Sequence, residues 1–175
     1  MLHDSHMPPS AADEPSESQR EPAPLSRILE ASTIQLSFNI MPDRPVTETL
    51  ALKEYRIGEN YIEAVFDRTY ASTMLSSPDH LIFLTALAHC QRLGYVYLCH
   101  YFGLPYEPQN QEILKIWPVS VKVEMARMVR KRRDVVQKTW ITSITQESDR
   151  QYMTSMRSTI ENLMSFEIDS KVFLL

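Results

Sequence analysis

The chain has 175 residues, 43% of them hydrophobic and 23% charged, and its formal net charge at pH 7 is -4. This length and apolar content predict one globular domain with a substantial core. The acidic balance gives no reason to expect nucleic acid as a partner, because binding to phosphates depends on an excess of basic charge.

Residues 1–24 differ in composition from the rest of the chain. They hold five of the eleven prolines, several Ser, Glu and Asp residues, and almost no large apolar side chain. We therefore expect a disordered tail, followed by a folded domain over 25–175. The tail lacks the apolar stretch of a secretory signal and is not Arg-rich like a transit peptide, so the default prediction is a cytoplasmic protein.

Strand patterns follow the tail. A short helix is expected over 25–30, and residues 33–40 alternate between apolar and polar like a strand. A hairpin is predicted over 46–67, because alternating residues flank the turn sequence Gly58-Glu59-Asn60.

A long helix is predicted over 77–103. Ser77 is a suitable N-cap, Pro78 suits the first helical position, and Asp79 places negative charge at the positive end of the helix dipole. Gly103 can adopt the left-handed conformation that ends a helix, and Pro105 blocks continuation.

The predicted helix is apolar on almost every side, which is typical of a helix covered all round by other structure. A membrane span is the alternative, since about 20 apolar residues cross a bilayer. Polar and ionisable groups interrupt the run and are costly in hydrocarbon, so we favour a buried helix and expect no membrane span. Cys90 and Cys99 both lie in this helix, and we interpret them as reduced core thiols. The interrupting residues are Asp79, His80, His89, Gln91, Arg92 and His100.

The sequence pattern in the C-terminal third of the chain predicts more strands. Residues 104–117 are expected to be an irregular connection, and 119–125 and 135–145 to be strands of a second hairpin around a charged turn at 130–134. Residues 152–162 fit the periods of both a helix and a strand. We favour a strand there, because Glu147-Ser148-Asp149 makes a natural turn before it. Residues 166–174 are expected to be a terminal strand or a packed tail.

The predicted order is strands, one long helix, strands. An α+β fold in which an antiparallel sheet wraps around one long central helix covers such a helix most simply. This arrangement resembles the hot-dog fold, and no internal repeat indicates a second copy of it.

Residues 71–89 carry a sharper resemblance. Their sequence, ASTMLSSPDHLIFLTALAH, aligns without a gap to the loop and helix start of hot-dog hydroxyacyl-thioester dehydratases, roughly H-F-P-x-x-P-V-M-P-G-x-L-x-x-E-A-x-A-Q. The two alanines are matched at positions 86 and 88, and Ile82 matches the leucine. Ala71 and Thr85 replace the histidine and the acidic residue that carry dehydratase chemistry.

The chain is more similar to FcoT-like acyl thioesterases, over roughly residues 46–160, in length, in the hairpin before the helix and in the divergent loop. This resemblance implies an acyl chain linked through a thioester to coenzyme A or to carrier-protein pantetheine, lying beside the central helix. It also implies a homodimer that continues one sheet across two subunits and builds each site from both.

Polar residues along the helix are candidate site residues. Thr85, His89 and Arg92 share one face at i, i+4 and i+7, and His100 lies two turns further on. Thr85 and His89 are candidates for catalysis and Arg92 for substrate binding. Alternatively, this strip contacts solvent at a sheet edge or forms hydrogen bonds within a dimer.

The helix start offers further candidates. Backbone N–H groups after Ser77 can stabilise the oxyanion of thioester hydrolysis, and Asp79 or His80 can orient or deprotonate the attacking water. Simple capping is the alternative for Asp79. Asn60 and Tyr61 are candidates for orienting the thioester, with turn and packing roles as the alternative.

The basic run at 127–133 is the strongest charge cluster of the sequence. Arg130, Arg132 and Arg133 are candidates for binding the phosphates of coenzyme A or the acidic surface of an acyl carrier protein, because guanidinium groups match phosphate oxygens. A solvated hairpin tip is the alternative.

The sequence shows no Gly-rich phosphate loop, no G-x-S-x-G elbow and no Cys/His cluster with metal-ligand spacing. We therefore predict a thioesterase that hydrolyses a fatty or polyketide acyl thioester without a metal or an organic cofactor. The alternatives are a dehydratase or lyase on the same scaffold, and a non-catalytic dimer that binds an acyl group or a carrier protein.

Overall fold

The computed structural model describes residues 26–27, 33–41, 44–73, 79–105 and 113–175. The predicted tail over 1–24 and the predicted cap residues Ser77 and Pro78 lie outside the described residues. The elements in chain order are β1 (Ser26–Arg27), β2 (Thr33–Met41), β3 (Arg44–Ile57), β4 (Tyr61–Ser72), α1 (Phe83–Tyr101), β5 (Leu114–Met125), β6 (Val135–Ser148), β7 (Gln151–Ile160) and β8 (Met164–Leu174).

Within the described residues, eight strands form one sheet in the order β1-β3-β4-β6-β7-β8-β5, with β2 paired to β3 beside β1. Every strand pair is antiparallel. The sheet curls around α1, which contacts β2, β3, β4, β5 and β6. This is the α+β hot-dog fold that the sequence predicted. No helix in the described part of the chain is long and apolar enough to cross a membrane.

The β3–β4 hairpin follows from alternating apolar residues, as predicted. The even-numbered positions from 46 to 52 in β3 are buried, and so are those from 62 to 68 in β4. Gly58 donates its N–H to the carbonyl oxygen of Tyr61 at 2.8 Å. A Cβ at Gly58 would lie 2.2 Å from the Tyr61 ring, so a larger residue there would displace that ring.

Helix α1 begins later than predicted. The expectation that Asp79 lies in the first turn is wrong, because the helix begins at Phe83 and its N-cap is Ile82, which has an extended backbone and no side-chain cap. The prediction that Gly103 adopts a left-handed conformation at the helix end is confirmed, since Gly103 has a φ of +64° two residues after the last helical residue.

Long-range contacts explain the late helix start. The N–H of Leu81 donates to the carbonyl oxygen of Val129 at 2.8 Å. The N–H of Ile82 donates to Oε2 of Glu48 at 2.9 Å. Glu48 therefore accepts the N–H of the N-cap residue itself, which is the role that a Glu three residues into the helix has in a capping box.

The sheet covers one flank of α1 and leaves part of the other open. The sheet-facing side buries ten residues, including the free thiols of Cys90 and Cys99, which were predicted as core residues. Phe83 is 43% exposed and Leu84 is 40% exposed. The expectation that the helix is covered all round is therefore wrong for this flank of the protomer.

The second predicted hairpin does not exist. β5 pairs with β8, whereas β6 lies between β4 and β7. The connection over 126–134 instead crosses the start of α1, where Val129 is fully buried, and carries the chain from the sheet edge to its middle. β5 also begins at Leu114, so the expectation of irregular structure up to Trp117 is wrong.

The remaining strand predictions are confirmed by β2, β7 and β8, and the helical alternative over 152–162 is wrong. Ser26 and Arg27 form a short strand on β3, where the sequence predicted a helix.

Candidate active site

Four charged side chains meet where the chain leads into α1, and we call them the helix-start network: Glu48, Arg68, Asp79 and Arg132. Arg68 donates from Nη1 to Glu48 Oε1 at 2.9 Å and from Nη2 to Asp79 Oδ1 at 2.5 Å. Arg132 donates from Nε to Asp79 Oδ2 at 2.6 Å. The charges therefore alternate from the interior to the surface, and each carboxylate has a guanidinium partner.

Burial and pairing set the charge states in this network. The side chains of Glu48 and Arg68 are both 0% exposed. Burial raises the pKa of Glu48, although the nearby Thr85 hydroxyl and the hydrogen bonds from Arg68 and the Ile82 N–H oppose the rise. Burial would also raise the pKa of Asp79, but the hydrogen bonds and charges of Arg68 and Arg132 hold that pKa below its ordinary value. Asp79 is thus a weaker base than a free aspartate.

A second, uncharged cluster lies between α1 and the strands β6 and β7, and we call it the interior network. His89 Nδ1 is 2.6 Å from Gln137 Oε1. Gln137 Nε2 donates to Ser158 Oγ at 2.9 Å, and Ser158 Oγ is 2.9 Å from Thr139 Oγ1. All four residues are fully buried.

His89 is neutral in this environment. Burial lowers the pKa of His89 to about 4, the hydrogen bond to Gln137 opposes the decrease, and the charge of Arg92 adds to it. The ring packs against Phe66 with 4.6 Å between centroids. Nε2 of His89 has no hydrogen-bond partner among the described atoms. A fully buried imidazole therefore has one nitrogen bonded and one nitrogen unused.

Thr85 lies one turn before His89 on the interior face of α1 and is also fully buried. Its hydroxyl is close enough to Glu48 to lower the pKa of that carboxyl. The contact falls short of hydrogen-bond geometry, however, so Thr85 Oγ1 has no partner among the described atoms either. Two predicted site residues, Thr85 and His89, therefore lie together in the interior, each with an unpaired polar atom.

Cys90 adjoins the interior network. Burial raises the pKa of its thiol to about 11, against the opposing effect of hydrogen bonds with Ser158 and Thr139. A thiol with such a pKa is protonated at neutral pH and is a poor nucleophile.

The other predicted residues of the polar strip leave the interior. Arg92 is half-buried, and His100 is exposed in the last turn of α1. His80 is half-buried in the extended segment before the helix rather than in its first turn. The structure therefore does not bring His80, Arg92 or His100 into the interior with His89.

The predicted basic site is largely paired with acidic side chains. Arg132 binds Asp79, and Arg133 donates from Nη1 to Asp67 Oδ2 at 2.6 Å. Arg130 is exposed. Since Arg132 and Arg133 already hold carboxylates, an incoming phosphate would have to compete with those ion pairs.

Asn60 and Tyr61 lie on the opposite side of the sheet from His89. Tyr61 alternates with the buried Ile62, and its ring centroid is 4.2 Å from the Nζ of Lys138 on the outer face. Asn60 and Trp140 line an open groove of about 600 Å³ on this face. The sheet itself therefore separates these two candidates from Thr85 and His89.

Sequence reasoning missed Glu48, Arg68 and Gln137. Each occupies an inward-facing position of a strand, with a buried residue two positions before it. A charged or amide side chain at a core-facing position of an alternating strand was the available signal, because such a group must find a buried partner.

No protein-family model matches the sequence, and no curated protein matches it either. Among solved structures, a thioesterase from Haemophilus influenzae matches at 15% identity and a TM-score of 0.44, over 71% of this chain and 79% of that chain. A mutant thioesterase from Pseudomonas aeruginosa matches at 10% identity and a TM-score of 0.44, over 71% of this chain and 82% of its own. A putative thioesterase from Lactococcus lactis matches at 8% identity and a TM-score of 0.41, over 83% and 95%. Similarity at this level carries no information about the chemistry of this chain.

Proposed function

We propose that the protein hydrolyses the thioester of a fatty or polyketide acyl group carried by coenzyme A or by the pantetheine of a carrier protein. One observation carries the proposal. Inside a hot-dog fold, a neutral and oriented imidazole with an unused ring nitrogen lies one helical turn from an unused hydroxyl. General base catalysis needs an unprotonated base held in a fixed orientation, and the neutral imidazole of His89 meets both requirements.

The reaction uses these two groups in different roles. A water molecule donates a hydrogen bond to His89 Nε2, and its oxygen attacks the carbonyl carbon as the proton passes to the imidazole. Thr85 donates a hydrogen bond from its hydroxyl to the oxyanion that develops. The C–S bond then breaks, and the imidazolium returns its proton to the departing thiolate. Water and a thioester become a carboxylic acid and a free thiol.

The helix-start network supports this division of roles. The Ile82 N–H already donates to Glu48, and the Asp79 carboxylate is held by Arg68 and Arg132. We therefore assign the oxyanion contact to Thr85 rather than to the Ile82 N–H. We assign the proton to His89 rather than to Asp79.

A homodimer is part of the proposal. β5 lies at an edge of the sheet, and its inward-facing Val121 and Met125 are 40% and 58% exposed. An open edge strand with apolar side chains favours pairing with another strand, and antiparallel pairing of two identical edges gives a closed two-fold dimer. Phe83 and Leu84 add exposed apolar surface on α1.

Val121→Lys is expected to shift the protein from dimer to monomer in size-exclusion chromatography with light scattering. An unchanged mass would show that β5 does not form the dimer interface.

A non-catalytic acyl-binding or carrier-binding dimer is the second candidate. The observation that favours it is the full burial of Thr85 and His89 in the protomer. A thioester reaches an enclosed base only when the surrounding wall opens. A protein in which that wall stays closed would hold its partner on the surface without hydrolysing it.

Release of free thiol separates the two candidates. The purified protein is incubated with acyl-coenzyme A and acyl-carrier thioesters of graded chain length, and we expect turnover of at least one of them. Binding of a thioester without any thiol release would favour the second candidate.

Matched helix variants locate the chemistry. His89→Asn keeps an N–H donor for Gln137 but lacks the base, and we expect it to lower kcat by about 10²–10⁴-fold. His100→Asn changes an exposed histidine of the same helix and should leave kcat unchanged. Equal losses in both variants would contradict the assignment.

A further inference from the structure

Gln137 is an amide in the core of the protein whose two polar ends have different partners. It lies on β6 between the buried Val135 and Thr139, and it is 0% exposed. A buried amide without partners costs free energy, so its hydrogen bonds decide whether it is tolerated.

The hydrogen bonds give Gln137 a direction. Its Nε2 lies 2.9 Å from Ser158 Oγ and donates to it, and its Oε1 lies 2.6 Å from His89 Nδ1. An amide oxygen is only an acceptor, and Nδ1 must therefore carry the ring proton. In a neutral imidazole the other nitrogen then holds a lone pair, which makes Nε2 the basic atom.

We propose that Gln137 is a positioning residue that selects the Nδ1–H tautomer of His89 and so makes Nε2 the proton acceptor of the reaction. Ser158 and Thr139 hold the amide of Gln137 in that orientation. The catalytic consequence rests on the proposed hydrolase function, whereas the tautomer itself is a property of the folded protein without substrate.

Of the groups described around His89, Gln137 is the one that accepts a hydrogen bond from Nδ1. From its own helix, Arg92 acts on His89 by its charge and disfavours the imidazolium. β4 contributes the uncharged ring of Phe66, and β6 contributes the uncharged amide of Gln137. On β3, Glu48 is paired with Arg68 instead. The amide oxygen is thus the acceptor that the structure gives to Nδ1.

The first test determines the tautomer in the wild-type protein. In the full-length protein with ¹⁵N-labelled histidine, two-bond correlation spectra at pH 7 distinguish a protonated from an unprotonated ring nitrogen, and His89→Asn assigns the His89 signals. We expect a protonated Nδ1 and an unprotonated Nε2. A proton on Nε2 would overturn the proposal, because Gln137 would then present its NH₂ group to the ring.

Two substitutions of similar size test causation. Gln137→Glu keeps an acceptor and adds a negative charge, so we expect it to retain the Nδ1–H tautomer and raise the pKa of His89. Gln137→Met removes the acceptor, and we expect a mixture of both tautomers. An unchanged tautomer and an unchanged titration of His89 in both variants would overturn the proposal.

Kinetics then separate this inference from the proposed function. If the protein is a hydrolase, the acidic limb of its kcat–pH profile should move to higher pH in Gln137→Glu, and Gln137→Met should lose about tenfold or more in kcat with little change in KM. The expected NMR pattern without thiol release in any form would leave the positioning role intact and reject the hydrolase. Thiol release with Nε2 protonated would reject the positioning role and leave the hydrolase.

Discussion

The helix-start network and the interior network flank the same helix but differ in charge and in completeness. The first joins two buried charges to two partly exposed ones, and both of its carboxylates have guanidinium partners. The second is uncharged and leaves His89 Nε2 unpaired, one helical turn from the residue Thr85, whose hydroxyl is also unpaired. A network in which every charged group has a partner stabilises the fold, whereas a network with an unpaired polar atom retains a group that can react. We therefore place the chemistry in the interior network and helix capping in the helix-start network.

Removal of Arg68 should give the largest change in stability. Arg68→Met leaves Glu48 buried without its cation, and we expect a loss of about 3–5 kcal/mol in the free energy of unfolding. Urea denaturation measures it. Arg133→Met, which breaks an exposed ion pair with Asp67, is the control and should be close to wild type. Equal effects would show that the helix-start network is not the structural one.

The pH dependence of stability should report His89. An unfolded histidine binds a proton below pH 6.5, but His89 in the folded protein does so only at about pH 4, so the unfolded state gains protons first as the pH falls. The stabilising effect is complete above pH 6.5 and is lost down to about pH 4, on the order of 3 kcal/mol in total. The stability difference between wild type and His89→Asn should shrink over this range in denaturation curves. A constant difference would mean that His89 is accessible to protons.

Thr85 and Thr139 form a matched pair of buried hydroxyls. Thr85→Val removes an unpaired hydroxyl, so we expect stability to stay the same or rise by up to roughly 1 kcal/mol while thiol release falls. Thr139→Val breaks the contact with Ser158 and should cost about 1–3 kcal/mol, because a partner is left unsatisfied. Thermal unfolding of both variants checks the order. A larger loss for Thr85→Val would show that its hydroxyl has a structural partner.

Substitution of Arg132 should have the smallest effect. Arg132→Gln leaves Asp79 with Arg68, so we expect little change in stability and a rise in the pKa of Asp79 toward its ordinary value. Carboxyl NMR titration of Asp79 measures this rise. An unchanged pKa would mean that Arg68 alone determines the charge state of Asp79.

Local patterns in the sequence were sufficient for most elements of the fold. The alternation of apolar and polar residues predicted the β3–β4 hairpin and the strands β7 and β8. Gly103 predicted the helix end. Both kinds of element depend on residues that are close in sequence. The helix start and the β5–β6 connection could not be obtained in this way. They depend on Glu48 and Val129, which are distant in sequence from Ile82 and Leu81 and accept hydrogen bonds from them.

The sequence predicted only part of the candidate site. Thr85 and His89 share a helix face by simple spacing, so the sequence placed them together. Gln137 reaches His89 only because β6 lies between β4 and β7, and the sequence pattern instead predicted that β6 pairs with β5. A partner supplied by sheet order cannot be read from the period of a single strand.

The most direct test of the account is the kinetic comparison of wild type and His89→Asn on the thioester that the wild type hydrolyses fastest. If His89 is the base, kcat falls by about 10²–10⁴-fold while KM changes little and the variant remains folded at pH 7. If both proteins release thiol at the same rate, the interior network does not carry the reaction.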